Sequence, residues 1–92
     1  LTGQSPGQPP IRFRLSADPI IIGRGTDVDL NLHSAAVSRH HATITSHDGE
    51  FTVTDLASTH GVLLNGLRVV SADLRDGDIL QFADVILTFD ER

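Results

Sequence analysis

The chain of 92 residues contains no cysteine, so a disulfide scaffold and thiolate zinc sites are excluded and cysteine says nothing about redox compartment. Lysine is absent too: all 7 basic residues are arginine, set against 12 Asp and Glu for a net charge of −5 with histidine neutral. Nonspecific binding to nucleic acid or to an anionic membrane needs a basic face, and this balance argues against both, while leaving room for a small anionic partner. No apolar run approaches the roughly 18 residues that span a bilayer as a helix. Methionine is missing even at position 1, which reads as a fragment or processed chain whose context, targeting signals included, is cut away. The length allows one small domain, too small for a deep cleft between domains.

What the sequence does have is alternation. Ile11, Phe13 and Leu15 alternate with Arg12 and Arg14; Val28, Leu30 and Leu32 with Asp29 and Asn31; Ala42 and Ile44 with Thr43 and Thr45. Phe51 and Val53, then Val85, Leu87 and Phe89, continue the period of two that marks half-buried strands. Shorter candidates lie at 20–22, 62–64, 67–70 and 79–82. Turn formers separate them: Gly23 and Gly25, Asp48-Gly49, Gly61, Asn65-Gly66 and Asp76-Gly77. No ten-residue window carries a helical stripe. About nine to eleven short strands in so few residues bury their inner faces as two packed sheets, so the expected fold is all-β, an antiparallel β-sandwich without substantial helix. Residues 1–10, with Pro6, Pro9 and Pro10 among Gly and Gln, read as a flexible linker, and residues 11–92 as the domain.

The polar residues that break the alternation cluster in three connections: 23–27, 33–41 and 57–61. If these meet at one end of the sandwich, Arg24, Ser38, Arg39, Thr59 and backbone N–H groups converge on one point. A phosphate monoester, with about −1.5 to −2 charges and three acceptor oxygens, suits such a set. The planar fork of arginine binds two oxygens at once, which lysine cannot do. Taken singly the signals are weak. Arg24 alone reads as a solvated residue beside Asp27 or Asp29, Ser38 is as readily a turn hydroxyl bonding its own backbone, and Gly23 and Gly66 are turn glycines whatever the function. Arg12, Arg14 and Arg68 read as a solvated face with no binding role.

The blocks IIIGRG at 20–25 with DVDL at 27–30, VSRHHA at 37–42, DLASTHGVLLNG at 55–66 and LRDGDILQF at 74–82 resemble, in order, the forkhead-associated (FHA) domain, a β-sandwich module that binds phosphothreonine peptides. The resemblance implies that Arg24 and Ser38 bond the phosphate and that Arg39 and Thr59 add phosphate or backbone contacts. It also implies that His41 braces the loops, while Gly23, Gly61, Asn65 and Gly66 shape the turns. Where the family usually has Asn, bonding the peptide backbone beside the phosphothreonine, this chain has His60. The implied protein is not an enzyme and needs no cofactor or metal. Its partner would be a phosphothreonine-containing protein, with a Ser/Thr kinase upstream and a larger multidomain protein around it. Asp27, Asp29 and Asp84 near the site point to basic flanks in the ligand. Arginine without lysine hints at a GC-rich genome and a bacterial, cytoplasmic setting, or a nuclear one if the source is eukaryotic.

Other readings of the same residues are a hydrolase built on Ser38, His41 and Asp55, a zinc site drawn from His33, His40, His41 and His60, and a nucleotide loop at IIIGRGTDVD. The first has no strained nucleophile elbow. The second puts adjacent His40 and His41 on opposite faces of an extended chain, and the third lacks a third glycine and a following helix. A domain of the same fold that has lost peptide binding and acts as a scaffold or dimerisation surface is the remaining alternative.

Overall fold

The computed structural model describes residues 1–90, so the last two residues of the expected domain lie outside it. Eleven short strands follow in chain order: β1 Thr2–Gln4, β2 Ile11–Arg12, β3 Ile20–Gly23, β4 Leu30–Asn31, β5 Ala42–His47, β6 Glu50–Asp55, β7 Val62–Leu64, β8 Leu67–Val69, β9 Ser71–Asp73, β10 Ile79–Phe82 and β11 Val85–Thr88. They form a six-stranded sheet in the order β2-β1-β11-β10-β7-β8 and a five-stranded sheet in the order β4-β3-β5-β6-β9. All pairings are antiparallel except β3 with β4, where Ile22 lies opposite Leu30 and Gly23 opposite Asn31. No helix occurs among the described residues. The expected sandwich is the fold observed.

Alternation decides which side chains enter the core. Ile20 and Ile22 of β3, Ala42 and Ile44 of β5 and Val53 of β6 face Val62 of β7, Leu80 and Phe82 of β10 and Val85 and Leu87 of β11, all buried. Each large side chain in this layer contributes roughly 1.5–3 kcal/mol of hydrophobic free energy. Three hairpins close in two-residue turns: Ala83-Asp84 between β10 and β11, with Ala83 at positive φ, and Asp48-Gly49 between β5 and β6 and Asn65-Gly66 between β7 and β8, where both residues of each pair have positive φ. That is the conformation whose twist matches the flanking strands.

The N-terminal segment departs from expectation. Residues 2–4 are not linker but strand β1, inserted between β11 and β2 with Thr2 opposite Thr88, Gly3 opposite Leu87 and Gln4 opposite Ile86. Leu1 and Ser5 are buried. The reason is that a β ladder is made by backbone groups, which a polar, glycine-containing composition does not remove. Gly3 is the residue that fits: a Cβ there would strike the carbonyl oxygen of Ile86 and lie 2.7 Å from Leu87 Cδ2. The exposed stretch from Pro6 to Pro10 is the β1–β2 connection and makes no strand. At the other extreme, the run from Ile11 to Leu15 is in ladder only at Ile11–Arg12, though Phe13 and Leu15 still pack against the core. Strand β9 went unanticipated because Ser71-Ala72-Asp73 has no apolar alternation; its pairing with Thr52–Thr54 of β6 holds it.

Gly3→Ala should therefore lower stability by about 1–3 kcal/mol, the range for overpacking, read as a fall in the midpoint of urea unfolding. An unchanged midpoint would mean that β1 contributes nothing to the sheet.

Candidate functional site

Strand β3 delivers Arg24, and Gly23 allows it to do so. A Cβ at Gly23 would fall on the carbonyl oxygen of Arg39, so only glycine lets the two loops lie backbone to backbone. They are then stitched together: Arg24 N–H donates to Ser38 O (3.1 Å) and Gly25 N–H to Arg39 O (3.2 Å). From the other side the Asn31 side-chain amide donates to Gly25 O (3.1 Å) and Arg24 O (3.4 Å). The Arg24 backbone is thus held while its side chain stays exposed.

Ser38 joins this pair of loops to the third. Its hydroxyl oxygen accepts from Thr59 N–H at 3.0 Å, which leaves the hydroxyl proton free to donate outward. Its own N–H donates to His41 Nδ1 (3.1 Å), and His41 Nε2 contacts Gly61 O at 2.7 Å. These partners fix the tautomer: Nδ1 accepts, so Nε2 carries the proton and donates, and the ring is neutral. The imidazole is fully buried, edge-on to Phe82 with centroids 5.5 Å apart at 86°. His41 N–H also donates to Ile22 O (2.8 Å), and Leu56 N–H to His41 O (3.0 Å).

Within the third loop, Asp55 Oδ1 accepts from Ser58 N–H (3.2 Å) and Ser58 Oγ (2.5 Å), while Ser58 Oγ accepts from Gly61 N–H (2.9 Å). Ala57 takes φ 55° and Gly61 φ 75°, the two left-handed steps that reverse the chain. The result is a depression of about 350 Å³ lined by Arg24, Ala35, Ala36, Val37, Ser38, Arg39, Thr59 and His60. A second hollow of about 530 Å³ adjoins it through Ala36 and His60 and is walled by Gly61, Leu63, Gln81, Ala83 and Asp84. A larger cavity, about 680 Å³, has no part in this cluster: it lies among Phe13, Phe51, Phe89 and their neighbours.

The five residues expected to meet the ligand, Arg24, Ser38, Arg39, Thr59 and His60, share one depression. Neither Arg24 nor Arg39 has a carboxylate within ion-pair distance among the described residues. Of the five expected to support the site, Gly23, His41 and Gly61 do so directly. Asn65 and Gly66 do not: they form the turn at the far end of β7, where Asn65 bonds Asp78 (2.9 Å) and the N–H and C=O of Ile79. Their role is to lock the β7–β8 hairpin to β10. The acids expected nearby are occupied. Asp27 holds His40 Nε2 at 2.9 Å, Asp29 accepts from Ile21 N–H at 2.8 Å, and Asp84 accepts from Ser34 Oγ at 2.6 Å. Sequence reading missed Ser58 and Asn31. The Asp55-x-x-Ser58 spacing is a side-chain turn signal that points to the first; nothing local points to the second.

The hydrolase reading meets a geometric obstacle. Both nitrogens of His41 are taken by backbone groups and the carboxylate of Asp55 by Ser58, so neither assists the Ser38 hydroxyl. His40 and His41 likewise go separate ways, one exposed on Asp27 and the other buried on Gly61.

Two outcomes follow from these contacts. His41→Ala strands a backbone N–H and a carbonyl and opens a cavity against Phe82, so it should cost about 2–4 kcal/mol in chemical denaturation; a loss under half a kcal/mol would deny it the bracing role. The hydrogen bond from His40 holds the Asp27 carboxyl below the usual aspartate range. Because the folded value is the lower one, the stabilisation is present above the ordinary aspartate pKa and disappears as pH falls through the depressed value. Carboxyl-detected NMR should find the Asp27 midpoint below that of a free aspartate and returning upward in His40→Ala.

Comparison with known proteins agrees with this geometry. The FHA domain family matches residues 20–83. The chain is 41% identical over 78 residues to the transcriptional regulatory protein EmbR of Mycobacterium tuberculosis, covering 84% of this chain and 20% of that protein. It is 38% identical over 68 residues to the ABC transporter ATP-binding/permease protein Rv1747 of the same organism, covering 74% and 8%. It thus spans only a small part of these two relatives. A solved structure from a structural and functional analysis of phosphothreonine-dependent FHA domain interactions superposes with a TM-score of 0.89 at 28% identity, over 99% of this chain and 95% of that one. By the match over residues 20–83, and by a sandwich whose loops meet at Arg24, Ser38 and Thr59, the chain belongs to the FHA domain family.

Proposed function

We propose that this domain is a non-enzymatic recognition module that binds phosphothreonine-containing segments of a partner protein through the depression between its three loops. The observation that carries the reading is the convergence of two unpaired guanidinium groups with a serine hydroxyl whose proton is free. The phosphothreonine-dependent interactions of a structurally similar domain support it. Arg24 and Ser38 take the phosphate oxygens, with Arg39 and Thr59 beside them. His60, at the mouth shared by the two hollows, bonds the peptide backbone in place of the family's usual Asn. Ala35, Ala36 and Val37 are the apolar side chains available to the γ-methyl group of threonine.

Rigidity does much of the binding in advance. Anchoring of the Arg24 backbone to Ser38 and Asn31 removes the backbone part of the ordering cost, which leaves the arginine side chain's own cost of up to about 2 kcal/mol to be met on binding. Kinase-dependent phosphorylation of the partner would set when the contact forms, and this domain would tether a larger protein to that partner in the cytoplasm.

Each charge-assisted hydrogen bond contributes roughly 1.5–3 kcal/mol, so Arg24→Ala or Ser38→Ala should weaken phosphopeptide binding about ten- to hundredfold. Fluorescence anisotropy with a degenerate phosphothreonine pool, beside phosphoserine and unphosphorylated pools, reads this directly. Binding that ignores phosphate, or survives both substitutions, would sink the mechanism. It would turn attention to Leu67 and Val70, 73% and 76% exposed, as a scaffold or dimerisation surface.

A further inference from the structure

The cavity of about 680 Å³ lies at the end of the sandwich away from the phosphate depression. Strand β6 shows the separation: Asp55, at its close, holds the third loop through Ser58, whereas Phe51, beside its start, is in the cavity wall. Three of the chain's four phenylalanines, Phe13, Phe51 and Phe89, line this one hollow. Phe51 and Phe89 meet edge to face, with centroids 5.6 Å apart at 61°, and both still border open space. A gap of this size among apolar side chains forfeits the dispersion contacts that close packing makes. Phe13 and Phe51 stay half-buried as its walls. One wall is fixed by a backbone pair, since the Leu1 nitrogen donates to Phe13 O (2.7 Å) and Phe13 N–H to Leu1 O (2.8 Å).

The same hollow carries positive charge. Arg12 and Arg14, which the sequence presents as a solvated face, border it and are exposed. Neither has an ion pair or a side-chain hydrogen bond among the described residues. The carboxylate among the lining residues, Asp90, already accepts from Thr2 Oγ1 at 2.8 Å. In a chain of net charge −5, two unpaired guanidinium groups beside an aromatic hollow are a local excess of cation. Small-molecule sites have this make-up: an apolar lining, a few charged groups that orient the guest, and a volume of about 300–1,000 Å³.

We infer that this cavity is a second binding site, for a medium-chain fatty carboxylate whose alkyl tail lies against Phe13, Phe51 and Phe89 and whose head meets Arg12 and Arg14. The carboxylate matches a planar guanidinium fork with two parallel hydrogen bonds. An alkyl tail suits walls made of rings set at an angle to one another, because it needs no partner plane on which to stack. A neutral apolar guest would fill the hollow and leave both cations unmatched, and an amine would be repelled by them. The site shares no lining residue with the phosphate depression, so the two are filled independently, and the inference stands apart from the phosphothreonine reading.

The test is an amide-detected NMR titration of the full chain with sodium octanoate, 1-octanol, octylammonium and acetate in turn. Octanoate should shift the amides of Phe13, Phe51 and Phe89 saturably and bind about fivefold more tightly than 1-octanol, the scale of an exposed ion pair. Octylammonium should bind more weakly than either, and acetate, having no tail, should leave these amides unmoved. The double substitution Arg12→Ala with Arg14→Ala removes two exposed side chains and should bring octanoate down to the level of 1-octanol without changing the affinity for 1-octanol. Octanoate should also leave the affinity for a phosphothreonine peptide unchanged. The inference is overturned by the absence of saturable shifts at the three phenylalanines, or by a preference for octanoate that survives the double substitution. Shifts centred on Arg24, Ser38 and Thr59, with displacement of the phosphopeptide, overturn it as well, because the carboxylate is then a guest of the depression.

Discussion

The buried imidazole of His41 is the contact on which the binding end of this sandwich depends. One ring links the Ser38 loop to the Gly61 loop through two hydrogen bonds, and its edge is packed on Phe82 in the six-stranded sheet. Without it the two loops would meet only through exposed or partly exposed bonds, such as that from Thr59 N–H to Ser38 Oγ. A buried polar ring is costly unless every polar atom is satisfied, and here the backbone satisfies both nitrogens. The same arrangement keeps the ring neutral, so the brace adds no charge beneath a site meant for an anion. A histidine in a string such as SRHHA invites a catalytic interpretation. The hydrogen bonds show instead why this fold needs one: imidazole both accepts and donates across its width, and the two loops present one N–H and one C=O on its two sides.

Around that brace, the site is assembled mostly from backbone. Gly23 and Arg39 touch main chain to main chain, Arg24 N–H and Gly25 N–H donate to the neighbouring loop, and Asp55 with Ser58 holds the turn that ends at Gly61. Side chains are then left over for recognition. Arg24, Arg39, Thr59 and His60 are exposed because other atoms carry the structural load. This division of labour explains how a domain of 92 residues, with a modest core and no cleft between domains, can present preorganised donors at a surface.

Sequence and structure part company where backbone rather than side chain decides. The alternating runs at 42–45, 51–54 and 85–89 sit in the two sheets with the buried faces that alternation assigned them, because inward and outward environments differ by the full hydrophobic term. Strands β1 and β9 carry no such signature, and their places come from neighbours with unpaired N–H and C=O groups. The parallel pairing of β4 was hidden for a related reason, since Leu30–Asn31 is too short for pattern to reveal a direction. At the site, the residues that share the depression were legible in sequence because phosphate chemistry restricts the choice to a few donor types. Their supports were only partly so. Asn65 and Gly66 look like site residues by adjacency in the motif, yet a strand of three residues carries them to the other end of β7, and Asn31 acts from a position whose sequence context says only that it faces outward.

A domain with net charge −5 that reads an anion must do so by local field against the global one. At physiological salt the screening length is about 8 Å, shorter than the 26 Å minor extents of the molecule, so the distant carboxylates contribute little at the depression. The unpaired Arg24 and Arg39 dominate there. The acids closest by are occupied in hydrogen bonds, Asp27 with His40 and Asp29 with the Ile21 N–H. A single phosphate bound as proposed would feel mainly the two guanidinium groups and the hydroxyl around it. Recognition of this kind needs donors that do not relax toward the nearest carboxylate, and it is the loop bracing, from His41 outward, that keeps them apart from one.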